Sequence, residues 1–288
     1  MLWQRGFLLV VLALLTSGLW FDVIAHEASA TELAVHFLDV GQGDATLIET
    51  PDGVQVLIDG GPDAGVLREL SAQLGFFDRT IDVLVATHPD GDHIGGLIDV
   101  LERYEVGTIV LTENESDTPT AAAFAAAVAA EGAEIVYARA GASLTLGAST
   151  TLDILFPDRN PVGFESNASS IIAQLHYGDI EFMLTGDAPK NIEEYLVREH
   201  GSALESEVLK VGHHGSDTST AATFVAAVAP QFAVISAGAD NRYGHPHTEV
   251  LRRLKSGGLA STFQAPMILE TKDGTVSFQS DGNRVWYE

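Results

Sequence analysis

Short apolar runs alternate with amphipathic runs along almost the whole chain. In the first half, β-like runs are separated by Gly and Pro-Asp-Gly punctuation, and IDVLVAT is apolar at nearly every position, as in a strand covered on both faces. The pattern predicts strands at 33–40, 45–50, 54–60, 81–87 and 106–113. It predicts helices at 64–75, 94–104 and 118–132, the last with an alanine-rich body that begins at Thr118–Pro119 and ends at Gly132.

The second half repeats this alternation. It predicts strands at 150–157, 169–178, 180–187, 206–212 and 232–238, a β-like stretch at 267–280, and helices at 188–201, 219–230 and 247–257. Two β-rich halves, each with strand–helix units, predict an α/β fold of two packed sheets with helices outside. Because no linker longer than a few residues interrupts the pattern, we expect residues 31–288 to form one domain.

The first 30 residues have a different pattern. Arg5 precedes an apolar run over 7–21, and the small-residue spacing of a signal-peptidase site follows. Residues 1–30 are interpreted either as a signal peptide cleaved after Ala30 or as an uncleaved membrane anchor over about 2–25. Both interpretations place the domain outside the cytoplasm: secreted, periplasmic or anchored to the outer face of the cytoplasmic membrane. Only the second gives the protein a membrane contact.

The chain is strongly acidic, with a formal net charge of −25 over 288 residues. An acidic surface repels nucleic-acid phosphates, so a phosphate-bearing substrate needs local positive charge, which a metal centre can supply. The sequence contains no cysteine, which excludes disulfides and thiolate metal sites. Any metal must therefore be bound by histidine, carboxylate, amide or water ligands.

The stretch THPDGDHIGG, residues 87–96, follows a predicted buried strand directly. His88 and Asp90 are two residues apart, so their side chains point the same way if the chain stays extended. Asp92 and His93 begin the next predicted helix, which lets four ligand-type side chains converge above the carboxyl end of the strand. The alternative interpretation is a polar loop in which Asp92 caps the helix.

Other predicted strands end in the same kind of residue. Asp59 ends VLIDGG, Asp187 ends MLTGD, and His213 and His214 follow the strand that ends LKVG. Because active sites of α/β sheets lie at the carboxyl ends of strands, this repetition indicates a metal site assembled from both halves of the chain.

These motifs carry a family resemblance. THPDGDHIGG resembles the His-x-His-x-Asp-His signature of the metallo-β-lactamase fold, with Asp90 in place of the second histidine. Together with DVGQGDATLIE, VLIDGG, NASSIIAQLHYGDIEFMLTGD, LKVGHHGS and NRYGHPHTEVL, it is similar to the hydrolase domain of ComEC-type competence proteins and their stand-alone relatives. The resemblance implies a four-layer αβ/βα sandwich. ComEC proper also has a many-helix membrane channel that is not seen in this sequence, so DNA uptake is not implied.

The resemblance also implies a dinuclear metal centre. His88 and Asp90 are expected to hold one metal, and Asp92, His93 and a histidine of the 213–214 pair the other. Asp187 matches the bridging carboxylate. His213 is preferred as the ligand because it follows the strand-ending glycine, and His214 is then expected to face the substrate.

The remaining site residues surround these ligands. Asp59 is expected to orient a ligand histidine through its other ring nitrogen. Lys210 is expected either to neutralise a phosphate oxygen or to pair with a carboxylate, and His245 to contact phosphate or protonate the leaving group. The residues expected to bind substrate or line the pocket are Gln42, Asp44, Asn167, Ser170 and His247, although His247 equally suits a helix N-terminus. The oxygen-rich ligand set favours manganese and leaves zinc open.

These expectations favour a metal-dependent phosphodiesterase or nuclease, in which a hydroxide shared by two divalent ions attacks phosphorus. DNA or RNA fragments or a smaller phosphodiester are the expected substrates, and no protein partner is implied. The alternative on the same fold is hydrolysis of an amide or ester, such as a β-lactam or lactone. A third alternative is a membrane-tethered binding module without catalysis.

Overall fold

Two mixed β-sheets pack face to face, and helices cover the outer face of each sheet. The computed structural model describes residues 32–75, 77–257 and 264–288, and this arrangement confirms the predicted αβ/βα sandwich. The predicted signal or anchor at 1–30 lies outside the described residues. Within the described part, no helix is both long enough and apolar enough to cross a membrane.

The first sheet is formed mainly by the N-terminal half of the described chain. Its strands are β1 Leu33–Phe37, β2 Thr46–Glu49, β3 Gln55–Ile58, β4 Thr80–Ala86, β5 Glu105–Leu111, β6 Glu134–Tyr137, β14 Val276–Ser280 and β15 Val285–Tyr287. They lie in the order β15-β14-β1-β2-β3-β4-β5-β6. The strands from β3 to β6 pair in parallel, and the other neighbours are antiparallel.

The second sheet is formed by the C-terminal half. Its strands are β7 Ser143–Thr145, β8 Thr150–Phe156, β9 Ile172–Tyr177, β10 Ile180–Leu184, β11 Val208–Lys210, β12 Phe232–Ile235 and β13 Met267–Glu270, in the order β13-β12-β11-β10-β9-β8-β7. The strands from β10 to β13 pair in parallel, so the parallel half of each sheet directs its carboxyl ends to one edge.

Six helices form the outer layers of the described structure. They are α1 Gly65–Gln73, α2 Gly91–Leu101 and α3 Pro119–Glu131 on the first sheet, and α4 Lys190–His200, α5 Ala222–Val228 and α6 Thr248–Ser256 on the second. The predicted ends of α3 are confirmed: the Thr118 side chain accepts a hydrogen bond from the Ala121 N–H at 3.2 Å, and Gly132 ends the helix in the left-handed conformation.

The core between the sheets is aromatic at its centre. Phe37 and Phe182 each pack edge-to-face against Phe278, with ring centroids 6.0 and 6.1 Å apart. All three rings are fully buried. Because these residues come from both sheets, their packing holds the two sheets against each other. It thereby fixes the relative position of the strand ends at the edge where the two sheets meet.

Three strands were not predicted from the sequence, namely β6, β7 and β15. The residues of β6 and β7 are mostly exposed at the sheet edges, so they lack the apolar alternation by which a strand is recognised. The predicted stretch at 267–280 is two strands in different sheets. A 3₁₀ turn over Thr271–Asp273, followed by Gly274 with φ +124°, redirects the chain from β13 to β14.

Candidate metal centre

The carboxyl ends of four strands meet at one edge of the sandwich. Asp59 follows β3 and His88 follows β4 in the first sheet. Asp187 follows β10 in the second sheet, and the pair His213–His214 follows β11 within a 3₁₀ turn. The side chains from both sheets converge. Within each of three groups, the ligand atoms lie within 4.8 Å of one another: His88–His93–Asp187, Asp92–His93–His214 and Asp44–Asp187–His214.

Three histidines at this edge share one arrangement of the imidazole ring. The Nδ1 of His93 donates to Asp59 Oδ2 at 2.8 Å, and the Nδ1 of His214 donates to the Ser236 carbonyl oxygen at 2.9 Å. The Nδ1 of His88 lies 3.0 Å from Thr87 Oγ1, which itself donates to Asp59 and therefore accepts from the ring. In each case the Nε2 atom is left to face the cluster.

The Nε2 atoms that face the cluster have no hydrogen-bond partner. Those of His88, His93 and His214 are buried and unpartnered, and so is Asp187 Oδ1. Buried polar atoms without partners are costly, so their convergence from two sheets indicates a ligand that completes them. Imidazole nitrogens and carboxylate oxygens are the donor set that zinc and manganese accept, and these residues therefore fit a divalent metal centre.

Asp187 lies at the middle of the cluster. Its Oδ2 is 3.3 Å from His93 Nε2 and 3.4 Å from His214 Nε2. Ser170 Oγ accepts a hydrogen bond from the Asp187 backbone N–H at 3.2 Å, and Gly186 turns the chain with φ +50° just before it. Ser170 is fully buried, so the structure places it beneath Asp187 rather than in the expected substrate pocket.

His213 and His214 occupy different environments. His214 is 1% exposed, and its Nε2 lies 3.3 Å from Asp92 Oδ2 and close to Asp187. His213 sits at the rim with its Nδ1 2.9 Å from Thr218 Oγ1 and its Nε2 3.7 Å from Asp187 Oδ2. The geometry thus favours His214 as the ligand and His213 as the residue that faces the substrate, the reverse of the assignment preferred from the sequence.

Asp90 and Asp92 lie on the open side of the cluster. Asp90 precedes α2 in an extended conformation, and its Oδ2 is 3.6 Å from His88 Nε2 while its Oδ1 accepts from Ser166 at 2.6 Å. Asp92 lies in the first turn of α2, where its carboxylate faces His214. Asp92 lies inside the helix rather than at its N-cap position, which Asp90 occupies. The structure therefore does not agree with the alternative of a polar loop capped by Asp92.

Lys210 is buried and pairs directly with Asp44, 3% exposed. Asp44 Oδ1 also lies 3.3 Å from His214 Nδ1. Of the two sequence-based alternatives for Lys210, the geometry agrees with pairing to a carboxylate. Both residues are buried, and Asp44 links the pair to His214.

The carboxylates and histidines of the cluster shift each other's ionisation. Burial alone would raise the pKa of Asp187, but His214 and His93 hold it well below its usual range. Burial likewise opposes protonation of the two histidines, yet Asp187 and Asp59 raise the pKa of His93 well above normal, and Asp187 and Asp44 raise that of His214 to about 10. The space that the Nε2 atoms face therefore favours a cation.

The remaining predicted residues lie around the mouth of the cluster. Asn167 Nδ2 is 3.4 Å from His213 Nδ1, and its Oδ1 is buried without a partner. Gln42 Oε1 accepts from the Gly238 N–H at 3.2 Å, and its Nε2 is also unpartnered. These two amides are positioned to contact a bound group.

His245 and His247, like His213 and His214, occupy different environments. The His245 ring stacks on His214 with centroids 6.3 Å apart, and its Nδ1 is buried and unpartnered. Burial, with His214 and His213 nearby, lowers the pKa of His245 to about 4, which favours a neutral ring that contacts substrate over one that donates a proton. His247 is the residue before α6, and its Nδ1 accepts from the Asp217 N–H at 3.1 Å, which fits the helix N-terminus alternative.

Sequence reasoning missed two residues that organise the site. Thr87 donates to Asp59 through its side chain and its backbone N–H, at 2.7 and 2.8 Å, and supports His88. Ser166 holds Asp90. Thr87 was inside the quoted motif, so its position next to His88 was a usable signal, whereas Ser166 is 76 residues from Asp90 and carried none.

With this geometry established, comparison with known proteins identifies the class. The sequence profile of the metallo-beta-lactamase superfamily matches residues 38–239, and the chain belongs to that superfamily. The match covers the whole candidate site apart from His245 and His247. This confirms the resemblance proposed from the motifs.

Among individual proteins, the chain is similar to competence and recombination proteins. It is 30% identical to ComE operon protein 3 of Bacillus subtilis (strain 168) over 252 residues, 82% of this chain and 32% of that protein. It is 31% identical to competence protein ComA of Neisseria gonorrhoeae, covering 79% and 30%, and 32% identical to recombination protein 2 of Haemophilus influenzae, covering 81% and 28%. The chain thus spans about a third of the length of these relatives.

Solved structures support the fold alone. A metallo hydrolase from Ignicoccus hospitalis KIN4/I superposes with a TM-score of 0.54 at 15% identity, covering 85% of this chain and 98% of that one. The metallo-beta-lactamase fold protein YhfI from Bacillus subtilis superposes with a TM-score of 0.52 at 12% identity, covering 88% and 99%.

Proposed function

We propose that the protein is a metal-dependent phosphodiesterase or nuclease. The observation that carries the proposal is the set of three buried histidines whose Nδ1 atoms are all engaged and whose Nε2 atoms are all unpartnered around Asp187. The superfamily supports hydrolysis as the class of reaction. The similarity to competence and recombination proteins, together with a carboxylate at Asp90, supports a phosphodiester over a lactam.

The ligand set follows from which side chains face the cluster. His88 and Asp90 would hold one divalent ion, and Asp92, His93 and His214 the other, with Asp187 between them. Zinc and manganese both suit these donors. When bound, such ions supply Lewis-acid activation of water and of the phosphoryl group.

The chain's own residues supply orientation to the site. Asp59, Thr87 and Ser236 orient the histidine rings, and Asp44, which pairs with Lys210, lies 3.3 Å from His214 Nδ1. Asn167, His213 and His245 face the open side, where they would bind a phosphate oxygen as neutral hydrogen-bonding groups. We further propose, from the sequence of residues 1–30, that the domain acts outside the cytoplasm.

A phosphodiester panel with metal analysis tests the proposal. Purified protein loaded with manganese or zinc is assayed on bis(p-nitrophenyl) phosphate, labelled oligonucleotides and nitrocefin. Metal content is measured in parallel on wild type, Asp187→Asn, and the control Asp99→Asn, which removes a carboxylate from α2 outside the cluster. We expect Asp187→Asn to lose at least one metal per chain and about 100-fold or more of the activity.

Two results would overturn the proposal. A metal-loaded protein that hydrolyses no phosphodiester is not a phosphodiesterase, and turnover of nitrocefin or a lactone in its place would select the amide or ester alternative. Absence of bound metal, with no effect of Asp187→Asn, would instead support a binding module.

A further inference from the structure

A large groove adjoins the candidate metal centre on the side of His88. It encloses about 720 Å³, which lies within the range of sites that take small organic ligands. His88 and Pro89 form the end of the groove nearest the metal centre. His88 and Pro89 directly precede the candidate ligand Asp90, so the groove adjoins the segment that carries two of the candidate ligands.

One side of the groove is apolar. Three exposed alanines of α3, at 122, 125 and 129, have the i, i+3, i+7 spacing of one helix face and line one wall. Ile135 and Tyr137 of β6 and Val162 also line the groove, and these three side chains are 44%, 53% and 62% exposed. The run Thr112–Ser116 forms the polar part of the lining.

The groove also has a defined electrostatic character. The acidic side chains among its described lining residues are Glu113 and Glu115, and none of these lining residues is lysine or arginine. Glu113 pairs with Arg139, which lies outside the lining. With the net charge of −25, such a groove repels a chain of phosphates and offers it no cation to bind.

The outer wall of the groove is fixed to the metal centre. Asn114 donates to the Phe164 carbonyl at 3.2 Å and accepts from the Gly163 N–H at 3.1 Å, which holds the segment that contains Val162. Two residues after Phe164, Ser166 donates to Asp90 at 2.6 Å. These hydrogen bonds tie the wall segment that contains Val162 to the candidate ligand Asp90.

From these observations we propose that the groove binds an uncharged, apolar ester group of the substrate. The preferred substrate is then a phosphodiester with an alkyl or aromatic group on its non-leaving side, and not a polynucleotide strand. This inference rests on the proposed phosphodiesterase activity and specifies its substrate class.

The test uses three diesters that release the same leaving group, p-nitrophenolate. They are the methyl, butyl and thymidine-5′ esters of p-nitrophenyl phosphate, assayed with metal-loaded full-length protein alongside a labelled oligonucleotide. We expect kcat/KM for the butyl ester to exceed that for the methyl ester about tenfold, mainly through KM, because the additional methylenes are buried in the groove.

Two matched variants place the effect in the groove. Ala125→Glu puts a charge on the wall, whereas Ala126→Glu puts the same charge on an exposed position of α3 that does not line the groove. We expect Ala125→Glu to remove the butyl preference, and Ala126→Glu to retain both the preference and methyl-ester turnover within about twofold. Titration calorimetry with dibutyl and dimethyl phosphate measures the same preference without turnover.

The outcomes separate this inference from the proposed function. If every diester is inert, the proposed function fails, and the calorimetric comparison still decides whether the groove prefers the butyl compound. If the diesters are hydrolysed but methyl and butyl esters are equal, or the oligonucleotide is the better substrate, the groove assignment is overturned and the phosphodiesterase proposal stands.

Discussion

His213 and His214 show how two adjacent residues of the same type reach different environments. Both have left-handed backbone conformations, with φ of 49° and 54°, which are uncommon for residues other than glycine and cluster at functional sites. This turn directs His214 into the cluster and His213 to the rim. The Ser236 carbonyl then fixes the His214 ring, and no equivalent buried partner fixes His213.

The two histidines give a direct comparison. We expect His214→Ala to reduce the metal content by at least one ion per chain and to lower phosphodiester hydrolysis about 100-fold or more, because a buried ligand is removed. We expect His213→Ala to keep its metal content and to raise KM. Metal quantification on both variants checks this, and equal metal loss in the two would restore His213 as the ligand.

At the scale of elements, α2 brings its N-terminal ligands to the loop that carries Asp59. The helix packs so close to this loop that a Cβ on Gly96 would overlap the Gly60 carbonyl oxygen. Backbone hydrogen bonds join the two segments, with Gly60 N–H donating to the His93 carbonyl at 2.7 Å and Gly96 N–H donating to the Gly61 carbonyl at 2.9 Å. The two glycines that end THPDGDHIGG thus serve packing, and they set the distance from Asp59 to His93.

Gly96→Ala should therefore harm both the fold and the site. The added methyl forces α2 away from the loop, and we expect the free energy of unfolding to fall by about 1–3 kcal/mol and metal affinity to weaken. Urea denaturation and metal titration measure the two effects. Asp99→Ala, on the same helix but outside this contact, is the control, and a Gly96→Ala protein with wild-type stability would contradict the close-packing argument.

Helix α4 holds the segment that follows the histidine turn. Glu193, which is 1% exposed, accepts from the Thr220 and Ala221 N–H groups at 2.7 and 2.6 Å, and Arg253 of α6 donates to the carbonyls of Ser219 and Thr220. Burial raises the pKa of Glu193 to about 7, although those N–H groups and Arg253 oppose the rise.

The raised pKa of Glu193 predicts a pH dependence of stability. Since the folded state binds this proton more tightly than the unfolded state, the contribution is fully present below about pH 4.5 and is lost as the pH rises to about 7. We expect wild type to lose roughly 2–3 kcal/mol more than Glu193→Gln between pH 5 and pH 8. Urea denaturation of both proteins with a chelator present checks this, and parallel pH profiles would refute it.

At the scale of the whole molecule, the candidate metal centre lies across the seam between the sheets. His88 and His93 belong to the first-sheet half, and Asp187 and His214 to the second. The aromatic core between the sheets contains none of these residues, so we expect the domain to fold without a metal, unlike a zinc finger. Bound ions would add a cross-link at one edge.

Metal removal should therefore weaken the fold without abolishing it. A ligand bound only by the folded state stabilises it by about 4 kcal/mol when its free concentration is about 1,000 times Kd. We expect chelation to lower the unfolding free energy by up to this amount while the far-ultraviolet circular dichroism spectrum is retained. Denaturation with and without chelator, and after metal is restored, measures the change, and identical curves would show that no ion joins the sheets.

The sequence by itself determined the elements and the residues at their ends. Apolar periodicity and Gly or Pro punctuation are local properties, so they placed the main strands and all six helices, and they put Asp59, His88, Asp187 and the 213–214 pair after strands. Tertiary structure alone directed His214 into the cluster and His213 to its rim, paired Lys210 with Asp44, and assigned the two parts of 267–280 to different sheets. It also formed the groove beside α3 from segments far apart in the chain. These outcomes depend on which distant side chains come within contact distance, and on the backbone turn at each position, neither of which is encoded in a local pattern.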